Sequence, residues 1–255
     1  MLERTFIHIP GIAETTERSL WSQGCFDWRT YLDAPQRFSL GTASATTARN
    51  TLRRSIQALE SGEHQYFAHK LKQKHVWRAF PAFRHSCAYL DIETDGGQGP
   101  NSITNIGIWD GSTYHGLVKG IDLENFRDLI SSFSMLVTFH GAGFDLPVLR
   151  RRFPDIAWDH IHVDLCPLLR RLGVTGGLKR IEKAMGIERA PHVAGLTGYD
   201  AVLLWRKYRM RRDENALQRL LDYNRADVEN LERLAEIAYE RATEVALADP
   251  ADPEA

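Results

Sequence analysis

Four acidic residues have the types and spacing that a divalent-metal site requires. They occur in the order Asp91, Glu93, Asp145 and Asp227. A buried carboxylate without a counter-charge is so costly that a fold gathering several of them must supply cations. Hard divalent ions such as Mg²⁺ prefer carboxylate oxygens as ligands. The sequence therefore predicts a metal centre with all four acids as candidate ligands.

Asp91 and Glu93 lie at the end of the apolar segment 87–93, which predicts a β-strand. Alternate residues of a strand share a face, and residues two apart have Cα atoms about 6.6 Å from each other. Both carboxylates can therefore reach one ion. An exposed strand face also explains an Asp-x-Glu pair, so this pair alone is weak evidence.

Asp145 follows an apolar strand and the flexible turn Gly141-Ala142-Gly143, and it precedes Pro147. A helix tolerates proline in its first turn, so Asp145 is predicted to lie where a helix begins. The alternative to a metal ligand is an N-cap or first-turn acid that interacts favourably with the helix dipole.

Asp227 interrupts the apolar stripe of the helix predicted over 214–243. At 100° per residue it lies within about 20° of Leu220 and Leu234, whereas a solvated acid belongs on the opposite face. Tyr223, four residues earlier, shares this face and places a phenol beside the carboxylate. A core-edge aromatic is the alternative interpretation of Tyr223.

The rest of the chain predicts elements that position these residues. Strands are predicted over 87–93, 103–109, 113–118, 135–139 and 161–163, with helices over 123–132, 146–153, 165–172, 177–185, 198–210 and 214–243. This order predicts an α/β fold with a mixed sheet and helices on its faces. Ligands of such sheets gather near the strand ends.

Three regions are predicted along the chain. Residues 1–84 form a mostly helical N-terminal region, with helices near 13–23, 46–60 and 63–78. The change to β-rich sequence after Pro81 marks the start of a catalytic domain over 85–245. The Pro-rich, acidic tail 246–255 is predicted to be disordered.

The composition is that of a water-soluble globular protein, with 255 residues, 43% hydrophobic and 25% charged. Because no apolar stretch approaches about 20 residues and no signal peptide is evident, we expect a cytoplasmic protein without membrane association. The three cysteines (Cys25, Cys87 and Cys166) are widely spaced without a CxxC, which suggests neither disulfides nor a zinc site.

The net charge of −1 conceals an asymmetry. Residues 1–85 carry 12 Lys and Arg against 7 Asp and Glu, a net of +5, which leaves −6 for the remainder. Within that acidic part the cations cluster at 150–152, 170–171 and 206–212. Such clusters either bind phosphates or are solvated helix faces.

Taken together, Asp91-Ile92-Glu93-Thr94, Phe144-Asp145 and Tyr223-x-x-x-Asp227 resemble the three motifs of the DEDD (DnaQ-like) 3′-5′ exonucleases of the ribonuclease H superfamily. The tyrosine subclass (DEDDy) fits, because Asp222 stands where the other subclass has histidine. The motifs 138–141 and 178–182 and the segment 195–208 are similar to the YprB-like branch, and this resemblance covers about residues 84–243.

The resemblance implies a ribonuclease H-like fold with a five-stranded sheet. It also implies a hydrolase that releases nucleoside 5′-monophosphates from a 3′ end. The nucleic acid that it binds would be DNA or RNA, single-stranded or at its 3′ end. It implies two Mg²⁺ or Mn²⁺ ions, about 3.5–4 Å apart. Asp91 would bridge them, Glu93 and Asp227 would complete one ion, and Asp145 would support the other. Tyr223 would orient the attacking water.

Two further residues have open roles in this resemblance. His140 stands where related nucleases often carry Asn, and it either contacts substrate or packs. Asp164 is a fifth acid with two possible roles. It either supports the metals indirectly, through contacts with the residues that ligate them, or caps the helix that follows it. A structure-selective endonuclease, a catalytically silent nucleic-acid-binding module and a structural metalloprotein are the competing functions.

The segment Ile9-Pro10-Gly11-Ile12-Ala13 resembles a helix-hairpin-helix, a motif whose backbone amides bind a DNA phosphate. Ala13 stands where a second glycine is usual. Simple helical packing is therefore the alternative to DNA contact.

Overall fold

The computed structural model describes residues 1–248, and these divide into two compact units. The helical unit contains residues 1–84, 159–161 and 239–248, and the sheet unit contains residues 85–158 and 162–238. Of the predicted tail, residues 246 and 247 belong to the last helix, whereas 249–255 lie outside the described residues.

The helical unit begins with a 3₁₀ helix at Leu2–Arg4. Its α-helices are α1 (Glu14–Ser22), α2 (Trp28–Asp33), α3 (Ala45–Glu60), α4 (His64–Lys70) and α5 (Phe80–Phe83). Side chains start two of them, because Asp27 accepts from the amide of Thr30 and Ser44 from that of Thr47. In the core the Trp28 ring stacks on Phe67, with 6.2 Å between centroids.

The helix predicted over 63–78 is wrong in its second half. α4 ends at Lys70, and a turn leads to a 3₁₀ helix at Val76–Ala79. Leu71, Val76 and Trp77 are all buried. In one continuous helix Val76 would point about 140° from Leu71 in one direction and Trp77 about 120° from it in the other, so a single face could not bury all three.

The predicted helix-hairpin-helix lacks its first helix among the described residues, since only the 3₁₀ turn at Leu2–Arg4 precedes the hairpin segment. The amides of Phe6 and Ile7 donate to Glu17 Oε1 at 2.6 and 3.3 Å instead of to helix carbonyls. The turn itself is present, with Gly11 at a φ of 87°. The segment is therefore a turn that Glu17 ties to α1.

The sheet unit is built on five strands in the order β3-β2-β1-β4-β5. They are β1 (Cys87–Thr94), β2 (Ile103–Trp109), β3 (Tyr114–Val118), β4 (Met135–Thr138) and β5 (Ile161–Asp164). β1 pairs antiparallel with β2 and parallel with β4, and β2 pairs antiparallel with β3. The predicted fold class, a mixed five-stranded α/β sheet flanked by helices, is confirmed.

The helices of the sheet unit are α6 (Phe126–Ser131), α7 (Asp145–Arg152), α8 (Leu165–Arg171), α9 (Leu178–Ala184), α10 (Pro191–Ala194) and α11 (Gly198–Arg211). The last helix, α12 (Glu214–Leu247), begins in this unit and ends in the helical unit. Among the described residues, no helix combines the length and apolar character that crossing a bilayer requires.

β1 has two different faces. Ala88, Leu90 and Ile92 belong to the main core of the sheet unit, together with apolar side chains from α6 and α7. Because alternate strand residues point to opposite faces, Asp91 and Glu93 project from the other side. A second core lies in this unit, where Trp205 of α11 packs with Leu220 of α12.

Candidate active site

Three of the four predicted acids converge. Ligand oxygens of Asp91, Glu93 and Asp227 lie within 4.8 Å of one another. Glu93 and Asp227 are buried, with only 8% and 5% of their surface exposed, and Asp91 is half-buried. Hence the strand β1 and the helix α12, more than 130 residues apart in sequence, supply one cluster of carboxylates.

Asp227 stands within the apolar stripe of α12 that the sequence predicts. Leu220, Leu231 and Leu234 are fully buried on this helix. Their burial carries the intervening carboxylate inward, because residues three, four or seven apart share a helix face. The sheet unit therefore presents Asp227 to its interior and not to solvent.

Asp145 is the first residue of α7 and lies outside the group of three. Its Oδ1 accepts a hydrogen bond of 3.1 Å from the amide of Ile92, and it is 4% exposed. It lines the same open cavity as the other acids. The bond to Ile92 thus holds the start of α7 against β1, between the two acids of that strand.

Burial and mutual repulsion change the acidity of these groups. Burial, followed by repulsion from neighbouring carboxylates, raises the pKa of Asp91 and of Glu93 well above the ordinary range. Burial raises the pKa of Asp145 to about 7, against two hydrogen bonds that lower it. Burial also raises the pKa of Asp227, although the Arg189 guanidinium opposes this. Such a cluster favours any bound cation.

Tyr223 lies one helical turn before Asp227 and lines the same cavity. Burial, and then the charges of Asp227 and Glu93, raise the pKa of its phenol far above the usual value. The ammonium of Lys179 lies 4.5 Å from the centroid of the ring. Tyr223 therefore stays protonated at neutral pH and is a hydrogen-bond donor, not a base.

Asn224 holds Asp91 in place, a role that the sequence did not predict. Its Nδ2 donates to Asp91 Oδ2 at 3.0 Å, and its Oδ1 accepts from Asn105 Nδ2 and from the Tyr114 hydroxyl, each at 2.9 Å. Asn224 is completely buried. These bonds fix the amide, so that Asp91 is oriented by β2, β3 and α12 together.

Gly107 leaves the space that Asn224 occupies. It pairs with Asp91 in the register of β1 and β2. A Cβ at this position would lie 1.8 Å from Asn224 Oδ1 and 2.7 Å from its Cγ. Any residue other than glycine would therefore displace the amide that orients Asp91.

Arg189 holds Asp227, and the sequence did not predict this either. Its Nη2 donates to Asp227 Oδ1 at 2.5 Å. Its Nε and Nη2 also contact Glu182 at 2.6 and 2.7 Å, and Glu182 accepts a further bond from Asn230. Glu182 and the Arg189 side chain are buried. Arg189 thus fixes the rotamer of Asp227 while Glu182 balances its charge.

Asp164 caps a helix, which is one of its two predicted roles. Its Oδ1 accepts from the amide of Cys166 at 3.1 Å at the start of α8. Its carboxylate also accepts from the amides of His140 and Ala142, at 2.8 and 3.0 Å. These bonds hold His140 at a positive φ of 66°, where it lines the cavity.

The cavity that the acids line has a volume of about 500 Å³. Its other walls are apolar and cationic, and include Phe139, Phe144, Leu178, Lys179 and Arg180. Apolar walls with a few convergent polar groups are typical of small-ligand sites. The carboxylates that β1, α7 and α12 supply are the acidic part of this lining.

The sequence model of the RNase_H superfamily matches residues 88–239, which is more than half of the chain and includes every acid of the cluster. The chain belongs to the RNase_H superfamily. This membership agrees with the observed sheet order and supports a nuclease hydrolase that uses divalent metals and binds nucleic acid.

A solved structure, the family B DNA polymerase from the hyperthermophilic archaeon Pyrobaculum calidifontis, is similar to this RNase_H superfamily chain with 16% sequence identity and a TM-score of 0.47. The alignment covers 64% of the present chain and 27% of the polymerase. No curated protein gave a significant match.

The RNase_H superfamily domain thus brings together all five predicted site residues around one cavity, with three acids in mutual contact range. Asn224 and Arg189 were missed. A signal for Asn224 was available, since it lies three residues before Asp227 on the same helix. Arg189 lies in a loop and gave no periodic signal.

Proposed function

We propose that this chain is a metal-dependent 3′-5′ exonuclease of the DEDDy type, of the YprB-like branch, acting on DNA or RNA. The observation that carries the proposal is the approach of Asp91, Glu93 and Asp227 to within 4.8 Å, with Tyr223 one turn before Asp227. Asp145, on the same cavity, completes the four-acid set.

The donor set fits Mg²⁺ or Mn²⁺. All candidate ligands are carboxylate oxygens, which hard divalent ions prefer over thiolate or imidazole. Burial, and after it the repulsion between the acids, raises the pKa of Asp91 and of Glu93, and a bound cation would offset both effects. When bound, two such ions lower the pKa of a water and stabilise charge on the leaving oxygen.

Each residue then has a distinct role. Asp91, Glu93 and Asp227 would hold the metals, with Asp145 supporting them from α7. Asn224 donates a hydrogen bond to one oxygen of Asp91, and Arg189 donates one to an oxygen of Asp227. These bonds limit the rotation of the two carboxylates. Tyr223, kept protonated, would orient the attacking water by donating or accepting a hydrogen bond.

The size of the cavity is compatible with an exonuclease. Its volume of about 500 Å³ accommodates a ligand of small-molecule size, such as one terminal nucleotide, between Phe139, Phe144 and Leu178. The products would be nucleoside 5′-monophosphates.

The test is incubation of the purified protein with 5′-labelled DNA and RNA oligomers in Mn²⁺, beside a circular single strand. We expect a ladder of shortening products, no cleavage of the circle and no reaction in EDTA. Cleavage of the circle would support the structure-selective endonuclease instead. Binding of the oligomers without any cleavage would support the catalytically silent module.

A further inference from the structure

The helix α11 starts at the rim of the cavity. Thr197 and Gly198, at its N-terminus, line the same cavity as Asp227 and Lys179. Its start is fixed by a capping box in which Thr197 and Asp200 bond to each other's backbone and side chain. The helix α11 therefore begins at the cavity, and its first turn is held there by the capping box.

One face of α11 exposes apolar side chains. Tyr199, Leu203 and Met210 are 67%, 43% and 82% exposed, and they account for three of the seven large hydrophobic side chains exposed among the described residues. With Arg206 they fall within about 60° of one another around the helix. A cluster of this kind on one helix marks an interaction surface.

The same helix is strongly basic. Its exposed cations are Arg206, Lys207, Arg209, Arg211 and Arg212. Lys207 pairs with Asp213 at 2.8 Å, whereas within residues 1–248 the other four have no ion pair with a carboxylate. The helix dipole favours cations in the last turn, but it does not explain apolar side chains between them.

We propose that this face of α11 (Tyr199, Leu203, Arg206 and Met210), together with Arg211 in the last turn of the same helix, binds the single strand whose 3′ end occupies the cavity; we call these five residues the α11 surface. The inference rests on the proposed function. It assigns to the α11 surface the nucleotides that come immediately before the 3′-terminal one. Charge complementarity selects this occupant, since a polyanion fits unpaired arginines. Tyr199, nearest to the cavity, provides a ring on which a base stacks.

The test compares a substrate that reaches α11 with one that does not. The p-nitrophenyl ester of thymidine 5′-monophosphate fills only the cavity, and a thymidine 12-mer extends beyond it. For Tyr199→Ala, and for Arg206→Ala combined with Arg211→Ala, we expect the ratio of kcat/KM on the 12-mer to kcat/KM on the ester to fall about 10-fold.

A binding measurement separates charge from stacking. Anisotropy of a labelled 12-mer in EDTA, at several salt concentrations, gives the salt dependence of the affinity. The logarithm of the binding constant should fall linearly with the logarithm of the salt concentration. In the double arginine variant the magnitude of this slope should be smaller by about 1.4, near 0.7 for each single-strand phosphate contact that is lost. Tyr199→Ala should leave the slope unchanged. Arg170→Ala is the matched control, because Arg170 is an exposed arginine in the last turn of α8.

Several outcomes would overturn the α11 surface. One is an unchanged ratio and slope in both variants; another is equal losses on the ester and on the 12-mer. A change of oligomeric state in these variants would show that the face binds protein instead. If the unmodified protein hydrolyses neither substrate in Mn²⁺, the proposed function itself fails, which is a distinguishable result.

Discussion

The two units of the molecule each bury carboxylates, but in opposite ways. In the helical unit, Glu17 is 1% exposed and accepts bonds from the amides of Phe6 and Ile7 and from Arg78 at 2.7 Å. Each carboxylate oxygen of Glu17 therefore accepts at least one hydrogen bond from within the protein. This closed arrangement is what a structural acid requires.

In the sheet unit Asp164 and Glu182 are paired in the same way, but the acids at the cavity outnumber their partners. Asp91 has one amide donor from Asn224, Asp227 shares Arg189 with Glu182, and no bond to Glu93 is found within the described residues. The difference teaches that burial alone does not identify a functional acid. The distinguishing property is a group of acids that face one another at a cavity and whose oxygens outnumber the donors that reach them.

Removing an acid of the cluster gives the largest expected effect. Asp91→Asn or Asp227→Asn should reduce hydrolysis at least about 1000-fold, because a metal ligand is lost. The metal-free variants should be as stable as the unmodified protein, since repulsion is relieved. Oligomer hydrolysis and urea unfolding measure the two effects. Full activity in both variants would reject the site.

Removing the structural acid should have the reverse pattern. Glu17→Gln should lower the free energy of unfolding by about 3–5 kcal/mol, because Arg78 is left buried without its counter-charge. Protein that remains folded should keep its hydrolytic activity per molecule. Glu14→Gln, a change of a half-exposed acid in the same helix, is the control and should cost below about 1 kcal/mol. A Glu17→Gln protein of unchanged stability would remove the distinction between the units.

The pH dependence of the metal-free protein sharpens the comparison. The pKa of Asp145 rises from 3.8 to about 7 on folding, so the folded state binds this proton more tightly than the unfolded state. Its contribution to stability is complete below about pH 4 and is lost as pH rises to about 7, by up to about 4 kcal/mol.

Urea unfolding in EDTA between pH 5 and pH 8 measures this loss. Asp145→Asn should make the loss of stability with pH less steep without abolishing it, because the pKa values of Asp91, Glu93 and Asp227 are raised as well. Mg²⁺ should restore stability to the unmodified protein mainly at the higher pH. Identical curves for Asp145→Asn and the unmodified protein would contradict the raised pKa.

Displacing Asn224, which holds Asp91, should reduce activity less than removing an acid of the cluster. Gly107→Ala places a methyl group 1.8 Å from Asn224 Oδ1, and the buried amide must move. We expect a loss of about 10- to 100-fold in activity or metal affinity, the usual cost of disturbing the groups behind metal ligands. Gly99→Ala is the control, because a Cβ there meets nothing within 4 Å. Equal activity of the two variants would argue against a positioning role for Asn224.

The smallest effect is expected for the phenol. Tyr223→Phe should slow turnover about 10-fold, because the hydrogen bond that orients the attacking water is lost. The Mn²⁺ affinity should stay nearly unchanged. Single-turnover kinetics and metal titration give the two values. A variant that loses metal affinity instead would show that Tyr223 supports the ligands.

The sequence predicts the strands of this protein well, and it predicts which acids approach one another, for physical reasons. The run 103–109 and the alternation in β1 report burial directly, and the place of Asp227 in an apolar stripe follows from helix period. Local pattern does not predict partners that come from distant segments. Asn105 and Asn224 are 119 residues apart, and the role of Gly107 depends on their meeting.

Other errors have the same origin. The helix predicted over 63–78 ends at Lys70, because the buried positions that follow do not share a helix face. Arg189 belongs to a loop whose position is set by Glu182 and Asp227, so no local signal marks it. In both cases tertiary contacts decide the outcome, not local propensity.

The most direct test of the metal centre is a calorimetric titration of Mn²⁺ into the metal-free protein at pH 7.5. We predict saturable binding to the unmodified protein and to Glu17→Gln, and loss of that binding in Asp91→Asn and Asp227→Asn. No uptake by the unmodified protein, or unchanged uptake by Asp227→Asn, would contradict the claim that this cluster of acids, whose oxygens outnumber the donors that reach them, binds divalent cations.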